Sequence, residues 1–296
     1  LNTTGWIIYN GNLPGNKFLD YAEMLQAAAD KYNSKTKIIK NNALLSLLSA
    51  TSLELLPKMQ LPEYVLFTDK DIYLAKQLEY LGIPVFNSAE AIAVSDDKIA
   101  TYQELARLKL PIPKTIIAPK IFLEGSFDEK IIEQAITELG FPMVIKEAFG
   151  SFGEQVYLIE TKEALQKKIN QLGNKAFVFQ EFISTSYGVD IRLQVVGDQV
   201  VAGMKRKSQN DFRANITAGG TMEPYQASDE EKRLATLATK AIGADFAGVD
   251  LLFGADSPII CEVNSNAHIR NLLDCTKINA ADYMIEYVLN SIKRIR

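Results

Sequence analysis

Two carboxylates, Asp250 and Glu262, flank the turn Gly254-Ala255-Asp256-Ser257-Pro258. The runs 246–253 and 258–264 on either side read as strands, and side chains alternate faces along a strand. A hairpin symmetric about residue 256 sets Asp250 directly opposite Glu262. Like charges facing each other across a strand pair repel, unless they share a proton or a cation. Asn264, two residues beyond Glu262, adds a third oxygen on the same face. An oxygen-only set of this kind suits a hard cation such as Mg²⁺, which keeps waters or substrate phosphates among its ligands. The intervening Ala247, Val249, Leu251, Ile259, Cys261 and Val263 read as the buried face. That argues against a merely solvated acidic strand.

A second set surrounds Lys146. It shares a strand face with Val144 and Ala148, so an apolar strand carries an ammonium whose burial requires a partner. The loop Gly150-Ser151-Phe152-Gly153 comes next, and such a loop presents backbone N–H groups suited to phosphate oxygens. A snorkelling lysine beside a glycine hairpin would read the same way. A third set is basic: Lys205, Arg206 and Lys207, with Arg192 and Arg213. A forked guanidinium matches carboxylate and phosphate oxygens, while Lys205 and Lys207 also read as a solvated rim. Neither the P-loop spacing nor GxGxxG occurs.

The single histidine, His268, excludes sites built on several imidazoles and weakens Ser–His or Cys–His catalysis. Cys261 and Cys275 form no CxxC pair and read as reduced thiols. The available chemistry is therefore that of carboxylates, lysines, arginines and bound ions.

These residues need elements to hold them. A strand at 6–9, a helix over 18–32 and strands at 37–40 and 64–68 open the chain. A helix over 72–81 and a strand at 85–86 complete an open parallel α/β domain, placed at 1–95. Asp96 or Asp97 caps a helix whose apolar face is Ile99, Tyr102, Leu105, Ala106 and Leu108. Helices at 129–139 and 162–172 with strands at 143–148, 155–159 and 176–180 make a compact α+β unit at 96–180. The remainder, 181–296, carries strands at 190–196, 199–206, 246–253 and 258–264 and helices at 228–243 and 279–294. The expected class is α/β and α+β, in three parts.

Composition narrows the function. Against 36 acidic residues stand 32 basic ones, a net charge of −4, which excludes a nucleic-acid binder held by bulk charge. No apolar run approaches the ~20 residues that span a bilayer. No charged segment followed by an apolar one opens the chain, so neither a secretory leader nor a membrane partner is expected, and a cytoplasmic location is. The first residue is Leu, as after loss of an initiator Met or a short leader.

Taken together, the stretches resemble the ATP-grasp superfamily, and within it the RimK-type α-L-glutamate ligases, over about 95–285. Asp97-Lys98-Ile99-Ala100-Thr101 and Leu110-Pro111-Ile112-Pro113-Lys114-Thr115 resemble the family's entry to its central lid domain. Phe141-Pro142-Met143-Val144-Ile145-Lys146 and Gly150-Ser151-Phe152-Gly153 resemble its lysine strand and glycine loop. Gln180-Glu181-Phe182-Ile183 resembles the adenine-reading hinge. Gly188-Val189-Asp190-Ile191-Arg192, Asp211-Phe212-Arg213-Ala214-Asn215 and Gly219-Gly220 resemble its substrate-side strands and loop. Gly248-Val249-Asp250 with Glu262-Val263-Asn264 resembles its metal set.

The resemblance implies an ATP-dependent carboxylate–amine ligase acting through an acylphosphate. Lys98 and Lys146 would hold ATP phosphates, with Ser151 and Gly153 of the loop. Glu181, Phe182 and Ile183 would border adenine, and Asp190 the ribose, with Arg213 and Asn215 completing the nucleotide set. Arg206 and Arg192 would serve the transferring phosphoryl group. Asp250, Glu262 and Asn264 would hold two Mg²⁺ ions, with Mn²⁺ as a substitute. The substrates would be a carboxylate-bearing amino acid or peptide and an amine, glutamate being the family default, and the chain would be a homo-oligomer by analogy. The pattern departs from the family just after the metal set, at Ser265-Asn266-Ala267-His268-Ile269-Arg270. That segment is expected to face the substrate, where a base, a substrate contact and a packing side chain are all open roles for His268. Two other functions use the same residues: a nucleotide-binding regulatory module without turnover, and a phosphotransferase that stops at phosphate transfer.

Overall fold

The computed structural model describes residues 3–121, 127–150, 153–214 and 219–295. The chain begins β1 (Thr3–Tyr9), α1 (Lys17–Lys31), β2 (Ser34–Lys40), the hairpin β3 (Leu45–Leu48) and β4 (Leu53–Leu56), then β5 (Tyr64–Phe67), α2 (Ile72–Tyr80) and β6 (Val85–Phe86). Strands β2-β1-β5-β6 pair in parallel in that order. Trp6, Ile7 and Ile8 are all buried, as a parallel sheet covered on both faces requires. The strand order reverses direction at β1, and ligand crevices in such sheets open at the carboxyl ends of the strands beside that switch. Asn10, after β1, donates to Asp69, after β5, at 3.0 Å there. Asn266 from the far end of the chain donates to the Asp69 carbonyl at 2.7 Å, so this crevice faces the last third of the chain. The β3–β4 hairpin has no counterpart in the elements the sequence predicts.

Next come α3 (Ala89–Asp96) and α4 (Lys98–Arg107). Of the two expected caps for α4, Asp97 serves, accepting from the Ile99 and Ala100 N–H groups. Tyr102 and Leu105 of α4 pack into the core of the third sheet, not the second.

The second sheet is built from β7 (Thr115–Ile117), α5 (Glu129–Leu139), β8 (Met143–Glu147), β9 (Val156–Ile159), α6 (Lys162–Leu172) and β10 (Phe177–Glu181), in antiparallel order β7-β10-β8-β9. Met143, Ile145, Phe177 and Phe179 pack with Ile132 of α5 and Leu165 of α6. The period of two then sends Val144, Lys146 and Gln180 to the opposite face.

The third sheet comprises β11 (Val189–Val196), β12 (Gln199–Lys207), β13 (Thr221–Pro224), β14 (Phe246–Phe253) and β15 (Pro258–Asn264), with α7 (Asp229–Ala241) between β13 and β14 in the chain. Its order is β13-β12-β11-β14-β15, antiparallel throughout. Ser228 and Glu231 form a capping box that starts α7, fixing the helix that covers one face. Ile191, Leu193, Val249 and Leu251 point into that core with Leu234 and Ala238. The alternate residues Asp190, Arg192, Gly248 and Asp250 therefore point the other way. Finally α8 (Arg270–Thr276) and α9 (Ala280–Ile295) close the chain. Met284, Ile285 and Val288 of α9 pack with Ala22, Leu25 and Ala28 of α1, locking the third sheet onto the first.

Candidate active site

The polar faces of the second and third sheets meet across one pocket. Lys98, Lys146, Gly153, Glu181, Phe182, Ile183, Asp190, Arg206, Arg213, Asp250 and Glu262 all line it. Ser151 and Asn215 lie outside the described residues. Arg192, Asn264 and His268 stand beside the pocket rather than in its lining. Arg192 reaches Asp250, Asn264 is paired with Gly248 next to Glu262, and His268 packs against α1.

Asp250 is opposite Glu262 in the β14–β15 ladder, the pairing expected from sequence, but the hairpin is not symmetric about residue 256 and a register shift brings the two together. One residue further the register slips, and Leu251 pairs with Ile260. The extra residue is Cys261. Such a bulge switches the faces of the residues beyond it. Ile260 is fully buried in the α7 core, whereas Cys261 and Glu262 both line the pocket. This corrects the alternation expected from sequence, which put Cys261 on the buried face and Ile260 with Glu262.

Charge on this face is arranged as an alternating row. Arg192 grips Asp250 with two hydrogen bonds, Nε to Oδ1 at 2.7 Å and Nη2 to Oδ2 at 2.6 Å. Arg206 grips Asp190 in the same way, at 2.7 and 2.6 Å, and adds a contact to Asp250 Oδ2 at 2.8 Å. The pairs arise from register, since Arg192 faces Asp250 and Arg206 faces Asp190 across their ladders. Burial alone would raise the Asp250 carboxyl, and the two guanidiniums outweigh it and hold it below its ordinary value. Gly248 makes room for Ala267, since a Cβ there would lie 2.4 Å from that of Ala267, while Arg192 Cδ at 3.7 Å would be in ordinary contact.

Across the pocket, Lys146 is buried on β8 and donates to the Tyr102 hydroxyl at 2.8 Å and towards Cys261 Sγ at 3.6 Å. Burial lowers the Lys98 ammonium pKa, Glu262 opposes that shift and Lys146 adds to it. Lys98 also donates to the Gly150 carbonyl at 3.2 Å. Arg213 donates to the Gly153 carbonyl and is held by Asp211, joining the glycine loop to the third sheet's side. Gly153 has φ +73°, a conformation that suits glycine. At the end of β10, Glu181 accepts from the Lys114 N–H at 3.1 Å. Phe182 packs edge-on against Tyr187 and Phe212, centroids 6.2 Å away in each case.

Among the described residues no three His, Cys, Asp or Glu side chains gather as a metal cluster. The fit to a cation rests on two carboxylates and an amide. Asn264 supports it, because its buried Nδ2 has no hydrogen-bond partner among the described residues. A half-turn of the amide puts its oxygen at that position. The donor set is all oxygen, as Mg²⁺ requires.

His268 packs on Phe18 and Tyr21 of α1, with ring centroids at 5.0 and 5.5 Å. Burial first, then Lys17 and Arg192, push its pKa down to about 4, against the pull of Asp20. The imidazole is neutral at pH 7. Its neighbour Arg270 pairs with Asp20 at 2.6 Å, so the segment that departs from the family pattern is fastened to the start of α1.

Phe212 and Cys261 line the pocket, and Tyr102 contacts its lining from behind through Lys146, Gln180 and Cys261; none was singled out as a site residue by sequence. For Tyr102 a signal exists: a phenol on the apolar face of a helix needs a partner for its hydroxyl.

Residues 95–288 match the RimK-like ATP-grasp domain family. An uncharacterised protein of Mycoplasma pneumoniae is 37% identical over 223 residues, covering 73% of this chain and 77% of its own. A probable alpha-L-glutamate ligase of Shewanella amazonensis is 37% identical over 218 residues, covering 73% and 70%. Among solved structures, the ATP-grasp ligase PsnB complexed with minimal precursor, Mg and ADP shares the fold at a TM-score of 0.70 and 17% identity, over 98% of each chain. With its lysine strand, glycine loop and paired carboxylates gathered at one pocket, this chain belongs to the RimK-like ATP-grasp family and is a C–N bond-forming ligase.

Proposed function

We propose that the ligase uses ATP to phosphorylate a substrate carboxylate and joins the product to an amine. The carboxylate oxygen takes the γ-phosphoryl group and ADP leaves. The amine nitrogen then attacks the acyl carbon, phosphate leaves, and the nitrogen loses a proton as the amide forms. The observation that carries this reading is the convergence of Lys98, Lys146 and Arg206 on the same pocket as Asp250 and Glu262. Phosphoryl transfer needs cations placed around developing charge and little covalent help from side chains.

In this reading Lys98 and Lys146 bind phosphates, and Glu181, Phe182 and Ile183 border adenine. Asp190 serves the ribose while sharing its oxygens with Arg206. Ser151, Gly153, Arg213 and Asn215 complete the nucleotide set. Asp250, Glu262 and Asn264 would hold two Mg²⁺ ions, replaceable by Mn²⁺. Bound there, Mg²⁺ neutralises phosphate charge. Arg192 and Arg206 keep Asp250 ionised, and Arg206 stands ready for the transferring group. The names of the relatives support glutamate as one substrate; in this reading the acceptor is a peptide, a protein tail or a small metabolite, and the ligase acts as a homo-oligomer. No described helix is long and apolar enough to cross a membrane.

The test is ADP release with Mg²⁺ and ATP across a panel of amino acids and short peptides, with product masses. Amine-dependent ADP release and a product heavier by one residue support the reading. ADP release with phosphate left on the carboxylate, indifferent to any amine, would replace it with phosphotransfer.

A further inference from the structure

Tyr102 sits behind three residues of the pocket lining, Lys146, Gln180 and Cys261. Its ring lies in the core of the third sheet. Its hydroxyl lies 2.6 Å from the Cys261 carbonyl, 2.8 Å from Lys146 Nζ and 3.4 Å from Gln180 Oε1. A phenol has one proton to give. The contact to the Cys261 carbonyl is the shortest and takes it, so the oxygen lone pairs face Lys146, which can only donate. The direction of the chain is thereby fixed, from Lys146 to Tyr102 to Cys261.

β15 is the edge strand of its sheet, and the carbonyls of Cys261 and Val263 on its outer side accept from Tyr102 and Ser95. Glu262 is the residue between them. The hydroxyl therefore ties the lysine of the second sheet to the strand that carries the candidate metal carboxylate, through one rigid ring. Lys146 has three N–H donors. One goes to Tyr102 and a weaker one to the Cys261 sulfur, and among the described residues the third has no hydrogen-bond partner, on a side chain that lines the pocket.

We propose that Tyr102 is a positioning residue for nucleotide binding: its hydroxyl sets the direction of the Lys146 ammonium relative to the Glu262 strand. This rests on the reading of Lys146 as a phosphate contact.

Isothermal titration of the full chain with Mg²⁺ and a non-hydrolysable ATP analogue tests it, using Tyr102→Phe, Lys146→Ala and the double variant. Tyr102→Phe removes one oxygen and keeps the ring. The expected result is a Kd raised about tenfold in Tyr102→Phe, the scale of a hydrogen bond to a charged group. A larger rise is expected in Lys146→Ala, with no further rise in the double variant. Poorly folded protein lowers the binding stoichiometry and leaves Kd alone, so the reading survives a partial loss of stability. An unchanged Kd in Tyr102→Phe overturns the proposal. So does an equal rise in the wild-type and Lys146→Ala backgrounds, since the effect would not pass through the lysine. An unchanged Kd in Lys146→Ala would overturn the phosphate role of Lys146 itself, which is a separate failure.

Discussion

Asp250 and Glu262 face each other across the β14–β15 ladder, yet among the described residues arginine reaches only Asp250. The two carboxylates therefore have different work. Asp250 is fixed and held ionised by Arg192 and Arg206, while Glu262 faces the pocket beside Lys98 and Lys146.

This asymmetry separates the two neutral variants. Asp250→Asn leaves half-buried Arg192 without its counter-charge and buried Arg206 with Asp190 alone, and breaking a buried pair from one side costs up to about 3–5 kcal/mol. Glu262→Gln removes one of two facing like charges and is expected to leave stability unchanged or slightly raised. Both are expected to abolish Mg²⁺-dependent ADP formation. Denaturant melts beside ADP assays check the pair. Near-normal turnover in Glu262→Gln would remove Glu262 from the metal set.

Much of this was readable in the sequence, for definite reasons. That Asp250 and Glu262 meet was legible from their places on the two arms of one short hairpin, although the bulge rather than symmetry about residue 256 sets them opposite, and Lys146 stands out because an ammonium interrupts an apolar strand. The bulge at Cys261 was not readable, since inserting one residue into a ladder left no glycine or proline behind. The arginine row was not readable either. Arg192 meets Asp250 only because β11 lies between β12 and β14, and hydrophobic periodicity does not order strands. Helix α4 comes after the first domain in sequence but lends Tyr102 and Leu105 to the third core, an assignment set by packing rather than by chain position.

Gly248 is expected to tolerate no side chain. A Cβ would stand 2.4 Å from that of buried Ala267, and overpacking of this kind costs typically about 1–3 kcal/mol. Gly248→Ala should also shift Ala267 and with it the 265–270 segment, lowering turnover more than nucleotide affinity. Calorimetry and kinetics on the same preparation check this. Wild-type Tm and kcat would show that the backbone yields freely there.

The glycine loop is open to a conformational test. Gly153→Val forces a β-branched residue into φ +73°, which such side chains adopt poorly. It is expected to weaken nucleotide binding while leaving the second sheet's core intact, because Met143, Ile145 and Phe179 face the other way. Far-UV circular dichroism of wild-type shape with a raised nucleotide Kd is the expected pair of results. Unchanged Kd would separate the loop from the nucleotide.

His268 makes a prediction in pH. In the unfolded chain its pKa is near the ordinary 6.5, while in the fold burial, with Lys17 and Arg192, holds it near 4. Between those values the unfolded state binds the proton and the native state does not, so stability rises with pH through that window. The contribution is fully present above pH 6.5 and is lost as pH falls towards 4, by up to about 3 kcal/mol. His268→Asn is expected to flatten the dependence of unfolding free energy on pH between 4 and 6.5, with little change at pH 8. A general base that titrates near 4 places no limb in a rate profile near neutrality. The rate profile of His268→Asn is therefore expected to keep its wild-type shape from pH 6 to 8. Urea melts across pH 4–8 and rate profiles of both proteins check the two halves. A limb near pH 6.5 in the wild type that vanishes in the variant would mean that the imidazole titrates at its solution value and acts as the base.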